Sequence, residues 1–342
     1  MIFVYKDKIM KLDSSRLITL IFVFLLGFFN ASAQTDREKG VELFKQGKSQ
    51  EAINTLKKFL KNNPKDGDAW NILGLVYLKT NDSKNSIKSF QKAIDEDSNN
   101  SDYRSNLGYV YLLTNKTNEA QDQLDKSIKL NPQNANAYYF RGLSNMYERK
   151  YDDAILDADR AIQIDKIFSA AFILKSNALI YKFGEHWEDR QSQENKDLLS
   201  KAVTVLESCV GQCKANDKSN EIAKQRENIR AFYEYLQKGG KIQGPILPTN
   251  TDGETGVKVI RKAFPRYTDA ARNANISGTV NLAILFGSDA KIKFIVVTKS
   301  LGYGLDEQAI KAATNIQFEP ATRDGQAISV IKLVQYSFRI GR

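Results

Sequence analysis

The clearest pattern along the chain is an alternation of apolar and polar residues near its C-terminus. Val280, Leu282, Ile284 and Phe286 share one parity, Gly287-Ser288-Asp289-Ala290 supplies turn chemistry, and Ile292, Phe294 and Val296 resume the alternation, which predicts a β-hairpin. Leu301-Gly302-Tyr303-Gly304 breaks the second strand. Leu305, Ala309, Ala312, Ala313 and Ile316 then recur at helical spacing, with Asp306 and Glu307 where the helix dipole favours acids, predicting a helix over 305–317 that lies on the sheet. After the turn signal Asp324-Gly325, Ile328, Val330, Val334, Tyr336, Phe338 and Ile340 alternate over 328–340, about twice the usual strand length of five or six residues. Such a strand outruns its partners and leaves an exposed edge.

A second pattern repeats every 34 residues. Trp70, Leu73, Gly74, Tyr77, Phe90 and Ala93 return as Arg104, Leu107, Gly108, Tyr111, Leu124 and Ser127, and again as Tyr138, Arg141, Gly142, Asn145, Ala158 and Ala161. An earlier copy supplies Gly40, Leu43, Ala52, Leu56, Phe59 and Pro64. The unit resembles the tetratricopeptide repeat (TPR), a helix pair in which a small residue allows close packing and a proline ends the second helix. Pro64 and Pro132 fall where that pattern has proline, whereas Ser98 and Lys166 replace it in the other two units. Four repeats are expected over 34–168. A fifth starts at Phe172, but its second helix, with Ala202 and Leu206, comes about 14 residues late, so 184–197 reads as an inserted loop or an extended helix end on the solenoid rim. A capping helix follows near 222–236, completing a degenerate unit over 169–238, and Gly239-Gly240, Gly244-Pro245 and Pro248 mark a linker over 239–255.

The segment 256–342 resembles the C-terminal domain of the TonB energy-transducer family. Pro265-Arg266-Tyr267-Thr268 stands where the family has P-x-Y-P. Ala271 and Ile276-Ser277-Gly278-Thr279-Val280 match A-x(4)-I-x-G-x-V, Gly304-Leu305-Asp306 with Ala309 matches G-L-D-x-x-A, and Phe318-Glu319-Pro320-Ala321 with Asp324-Gly325 completes the series. Thr268 replaces the second proline, which implies a less rigid approach to the first helix of the domain. The expected fold is therefore multidomain: an all-α TPR solenoid followed by a small α+β domain with helices packed on a short antiparallel sheet. The resemblance implies docking of an extended peptide from an outer-membrane transporter by strand addition. Pro265, Arg266, Tyr267, Ile328, Val330, Lys332, Val334, Tyr336 and Phe338 are the candidate contacts. The same edge could instead serve homodimerisation, be covered by the protein's own N-terminal flank, or be protected by Lys332 and Arg339. On the solenoid, Asn71, Tyr103, Asn106, Tyr109, Tyr139 and Asn145 are the candidate groove residues for a second protein partner.

The N-terminus bears on compartment. An apolar run over 17–29 follows Lys11 and Arg16 and ends in Asn30-Ala31-Ser32-Ala33, a small-residue cleavage pattern too short to span a bilayer. A signal peptide over 1–33 and a periplasmic mature protein from Gln34 are expected; if the segment is retained, the chain is anchored in the inner membrane and faces the periplasm. Transducers of the family carry a functional histidine in their membrane helix, but the only histidine here is His186. An adaptor uncoupled from energy, or coupled to it through another protein, is thus the first reading, a membrane-anchored transducer the second, and a structural scaffold with a self-associating tail the third.

Charge refines the picture. The chain is 342 residues with a net charge of +10, and from Gly256 onward there are thirteen Lys and Arg against six Asp and Glu, a basic module suited to acidic peptides or anionic surfaces. Nucleic acid is not an expected partner, because no recognition motif is present. Nor is catalysis: there is no nucleophile elbow, phosphate loop or paired-histidine motif, and no cofactor or metal is expected. Cys209 and Cys213 are the only cysteines; they could form a disulfide if Gly211 ends the helix, or remain free thiols.

Overall fold

The computed structural model describes residues 36–213, 219–240, 242–243 and 254–340. The expected signal segment 1–33 and most of the linker lie outside the described residues. The chain divides into two compact units, one ending at Val110 and one spanning Tyr111–Arg342.

The first unit holds helical residues 36–45 (α1), α2 (Ser49–Asn62), α3 (Gly67–Lys79), α4 (Ser83–Glu96) and most of α5 (Ser101–Leu113). Close packing explains its small residues. A Cβ on Gly40 would stand 2.7 Å from the Leu56 side chain, and one on Gly74 would stand 2.7 Å from the Phe90 ring. Each helix pair therefore meets through a notch that only glycine leaves open. Caps set the starts: the Asp66 carboxylate accepts from the Ala69 N–H at 2.8 Å and Asp82 from the Asn85 N–H at 3.1 Å, satisfying donors that a helix N-terminus leaves orphaned.

The second unit continues with α6 (Thr117–Leu130), α7 (Ala135–Tyr147), α8 (Tyr151–Ile164), α9 (Ser169–Glu185), α10 (Gln193–Gln212) and α11 (Ser219–Gln237). The turn between the two helices of each repeat uses a left-handed residue, and these recur at the repeat spacing: Gly47, Asn81, Asn115 and Arg149, with φ of 77°, 60°, 58° and 63°. Such a residue stops a helix. The corresponding position in the fifth unit is Phe183, which stays helical, so α9 runs on to Glu185. Of the two expectations for 184–197, an inserted loop or an extended helix end, the structure has the extended helix end. The segment is the end of α9, a 3-10 turn (Trp187–Asp189) and the start of α10, with Phe183, Gly184, Trp187 and Asn195 buried and its polar side, His186, Gln191, Gln193 and the acidic residues between them among it, exposed.

What buries that end is the sheet. The C-terminal elements are β1 (Ile242–Gln243), β2 (Glu254–Thr255), β3 (Lys258–Arg261), α12 (Asp269–Asn273), β4 (Gly278–Phe286), β5 (Ile292–Lys299), α13 (Leu305–Ala313), β6 (Gln317–Glu319), β7 (Ala321–Arg323), β8 (Gln326–Ile328) and β9 (Val330–Phe338). The main sheet runs β1-β9-β4-β5, with β2-β7-β8 and β3-β6 as smaller sheets. β4 and β9 pair antiparallel in nine consecutive positions, from Gly278↔Phe338 to Phe286↔Val330. One face carries Val280, Leu282, Ile284, Val334, Tyr336 and Phe338 and packs on Ala271 of α12 and on Leu305, Ala309, Ala312 and Ala313 of α13. The other face carries Ala283, Leu285, Val296 and Ile331 and shares a core with Phe183, Leu199, Leu206, Ile229 and Phe232 of α9–α11. Rings continue that core across the seam: Phe183 meets Trp187 and Phe232 edge-on at 6.0 and 6.2 Å, and Phe232 meets Phe294 of β5 at 5.3 Å, geometries that aromatic quadrupoles favour.

Two expected elements are shorter than the sequence suggested. The helix expected over 305–317 ends at Ala313, because Gln317–Glu319 leaves it to pair with β3. The strand expected over 328–340 is interrupted at Ser329: Ile328 closes the β7-β8 hairpin, whose turn places Asp324 and Gly325 at φ of 51° and 79°, and β9 begins at Val330. Thr268 also behaves differently from the expectation of slackness. Its hydroxyl caps α12 by accepting from Ala271 N–H at 3.2 Å and donates to the Tyr303 carbonyl at 2.6 Å, so a side chain restrains what the family's proline restrains by its ring.

Cys209 and Cys213 are free, buried thiols. Gly211 does not end α10, which continues to Gln212. Residues four apart on an unbroken helix keep their Cβ atoms about 5–6 Å apart, whereas a disulfide needs about 3.5–4.5 Å. Burial, with Cys213 hydrogen-bonded beside it, pushes the Cys209 thiol up to about 12.

Four outcomes follow from this packing. A Cβ on Gly184 would fall 2.0 Å from the Val297 carbonyl oxygen, so Gly184→Val should destabilise the chain by about 1–3 kcal/mol through overpacking. Gly211 has nothing within 4 Å of its added Cβ, so Gly211→Ala should leave stability unchanged or raise it by up to about 1 kcal/mol; urea unfolding of both variants checks the contrast. Residues 254–342 expressed alone should self-associate in sedimentation experiments through the uncovered Ala283, Leu285, Val296 and Ile331 face; a monomer at all concentrations would contradict it. Protein purified without reductant should titrate two thiols once unfolded, and none would indicate the disulfide.

Candidate functional site

β9 lies between β4 and β1, not at the outer edge of the sheet, because two residues of the preceding flank, Ile242 and Gln243, pair parallel with Ile331 and Lys332. Beyond Lys332, no strand of the described residues pairs with that side of β9. The open stretch is thus 333–338. The Gln335 carbonyl is turned to this side, where Lys262 Nζ donates to it at 2.6 Å. Because backbone polarity alternates along an antiparallel strand, Leu333, Gln335 and Ser337 present their N–H and C=O groups to the open side.

The residues expected to contact a partner are placed as follows. Val330, Val334, Tyr336 and Phe338 have the parity that packs on α12 and α13, and their side chains are buried; they build the core beneath the edge and do not reach a ligand. Ile328 belongs to β8. Lys332 is 5% exposed and donates to the Val257 carbonyl at 3.3 Å, with its pKa lowered by desolvation, so it does not act as an exposed charge guarding the edge. Pro265 and Tyr267 are half-buried and Arg266 is exposed. Tyr267 is a tether: its hydroxyl donates to the Ile276 carbonyl, its ring meets Phe338 edge-on at 6.1 Å, and the Arg272 guanidinium covers it at 5.8 Å.

Two residues that the sequence reading passed over border the open stretch. Lys262, besides its bond to Gln335, places its ammonium 4.2 Å from the centre of the Tyr336 ring, and desolvation lowers its pKa. Tyr336 itself is pushed up to about 12 by burial, and its hydroxyl has no hydrogen-bond partner among the described residues. Two positions on, the Phe264 side chain is 95% exposed, and Ile260 on β3 is 62% exposed. The signal for them was present as a basic-apolar run, Lys258 to Phe264, directly before the matched proline and tyrosine.

On the solenoid, Tyr103 and Asn145 are structural. The Tyr103 hydroxyl donates to Asp68 at 2.5 Å and its pKa is raised, chiefly by burial. Asn145 is buried and donates to Asp157 at 2.9 Å, beside Arg141, which donates to the same carboxylate at 2.7 Å; burial nevertheless outweighs these partners and raises the Asp157 pKa. Asn106 donates to Asn71 at 2.9 Å, linking half-buried side chains on α3 and α5. Tyr109 is half-buried. Tyr139 packs against Phe140 and Phe168 at ring distances of 5.4 and 5.1 Å and lines a cleft between α7, α9 and the C-terminal elements. Among the described residues, no group of three or more His, Cys, Asp or Glu is placed to hold a metal ion, and no helix is long and apolar enough to cross a membrane.

Comparison with known families agrees with this domain order. Residues 33–162 match the TPR domain of cytochrome c-type biogenesis protein H, and residues 263–340 match the C-terminal domain of the Gram-negative bacterial TonB protein. Both are interaction or scaffold domains. Comparison with curated proteins gave no match. Among solved structures, the MamA protein is 23% identical with a TM-score of 0.41, covering 60% of this chain and 97% of its own. PilW, described as a type IV pilus biogenesis factor, is 15% identical with a TM-score of 0.49 and coverage of 60% and 91%. PilF of Pseudomonas aeruginosa is 18% identical with a TM-score of 0.43 and coverage of 61% and 98%. The chain carries a tetratricopeptide domain followed by a TonB C-terminal domain.

Proposed function

We propose that the protein is a periplasmic adaptor whose TonB-type sheet captures an extended peptide of an outer-membrane transporter along 333–338, while its TPR helices hold a second protein. The observation that carries this reading is the asymmetry of β9, paired in nine positions with β4 but in only two with β1. An incoming strand would satisfy the outward backbone groups of Leu333 and Ser337 and take the Gln335 carbonyl over from Lys262, which is the physical basis of strand addition. The flank already supplies a short parallel strand on that side, so a partner strand would extend pairing that the chain begins for itself. Lys262 and Phe264 flank the stretch and would meet the partner's side chains. Thirteen basic against six acidic residues from Gly256 onward favour a peptide with acidic flanks.

The experiment uses the full chain, since the sheet shares its core with α9–α11. Peptides from the N-terminal plug segments of outer-membrane transporters of the same cell are titrated while affinity and backbone amide shifts are followed. Ser337→Pro removes one outward donor and leaves the β4 ladder intact, because proline is tolerated on an open edge. It should weaken binding about three- to tenfold, the worth of one main-chain hydrogen bond, with little change in the unfolding midpoint. Unchanged affinity in the folded variant, or no binding by the parent chain, would move the site elsewhere.

A further inference from the structure

The opposite edge of the main sheet, at β5, faces a cleft of about 430 Å³ within residues 111–342. Tyr147 and Tyr181 line it from α7 and α9, while Tyr303 and Glu307 line it from the loop after β5 and the first turn of α13. The loop holds its aromatic residue in an uncommon conformation: Gly302, Tyr303 and Gly304 all have left-handed φ, of 69°, 53° and 75°. That conformation costs a non-glycine residue about 1–3 kcal/mol. Asp306 fixes the loop, accepting from the Ser300 hydroxyl and from the N–H groups of Leu301 and Gly302 at 3.0 and 3.3 Å.

The charges of the cleft do not balance. Asp306 is committed to the loop, and Arg149 is committed to Glu185 at 2.8 Å. Glu307 makes no ion pair among the described residues. Solvent reaches it, yet the protein crowding it raises its pKa, and neighbouring Asp306 adds to the effect. The Tyr181 phenol is raised well above its ordinary value by burial and then by these same two carboxylates.

We propose that this cleft binds the side chain of a lysine or arginine carried by an extended peptide along α7 and α9, with Glu307 as counter-ion and the rings of Tyr147, Tyr181 and Tyr303 as walls. Aromatic faces attract a cation, more strongly where water is excluded. An arriving ammonium or guanidinium also offsets the cost of a partly desolvated carboxylate. The volume lies within the roughly 300–1,000 Å³ of ordinary ligand sites and admits one long side chain with its backbone. The inference does not depend on strand capture at β9, which uses the other edge.

The test is calorimetric titration of the full chain with acetylated, amidated pentapeptides Gly-Gly-X-Gly-Gly, where X is lysine, arginine, norleucine or glutamate. Lysine and arginine peptides should bind saturably, with norleucine and glutamate at least about tenfold weaker. Glu307→Gln, whose amide spectrum should otherwise be that of the parent, should lower affinity for the lysine peptide about tenfold, the effect of losing one partly desolvated charge pair. Tyr303→Ala should weaken both cationic peptides and leave strand capture at β9 unchanged. Equal binding of norleucine and lysine, no binding of any of the peptides, or indifference to Glu307→Gln would each overturn the proposal.

Discussion

The architecture of residues 111–342 depends on the contact between Gly184 and the Val297 carbonyl. Helix backbone and strand backbone approach there so closely that no side chain fits between them. That approach lets α9 and α11 settle onto the second face of a sheet whose first face already lies on α13. A small sheet of this kind ordinarily has one apolar face and one wet one. Here both are dry, and α9–α11 share a core with the second of them.

Covering both faces determines where partners can bind. With the flat surfaces of the sheet used internally, what the sheet leaves open among the described residues is the stretch 333–338 of β9 on one side and the tyrosine-lined cleft beside β5 on the other. The side chains at the first of these are mostly odd-parity or belong to the lead-in segment, Gln335, Ser337, Lys262 and Phe264 among them. The even-parity residues hold the floor in place. Affinity there would come from backbone pairing and selectivity from a few flanking groups, a division common to strand-addition sites.

Much of this was legible in the sequence. The 34-residue repeat, the hairpin and the Asp324-Gly325 turn all rest on local chemistry, and each forms in the structure. The second dry face was legible too, but only in the residues of the other parity: Leu282 to Phe286 is an unbroken apolar run, as is Phe294 to Val297, the signature of a strand buried on both sides. Reading one parity concealed the seam, and with it the reason α9 lacks a stop residue at Phe183. The edge was misplaced for a different reason. Ile242 and Gln243 carry no strand signal of their own, so their pairing with β9 comes from tertiary proximity that periodicity does not encode. Asn145 and Tyr103 look like groove residues by type and spacing, but only the positions of Asp157 and Asp68 across the helix pairs show that they are used internally.

The position of β9 also bears on how the chain is assembled. Although last in sequence among the strands, it lies in the middle of the main sheet, between β1 and β4. A polypeptide emerging from its N-terminus can complete its repeats early, since each contacts chiefly its neighbours. The surface of α9–α11 that will meet the sheet must wait until Val330–Phe338 arrives to order β4 and, through it, β5. A molecule cut short before that strand would thus lose the centre of its sheet rather than a trailing end, and would leave the last solenoid helices with an apolar face turned to water.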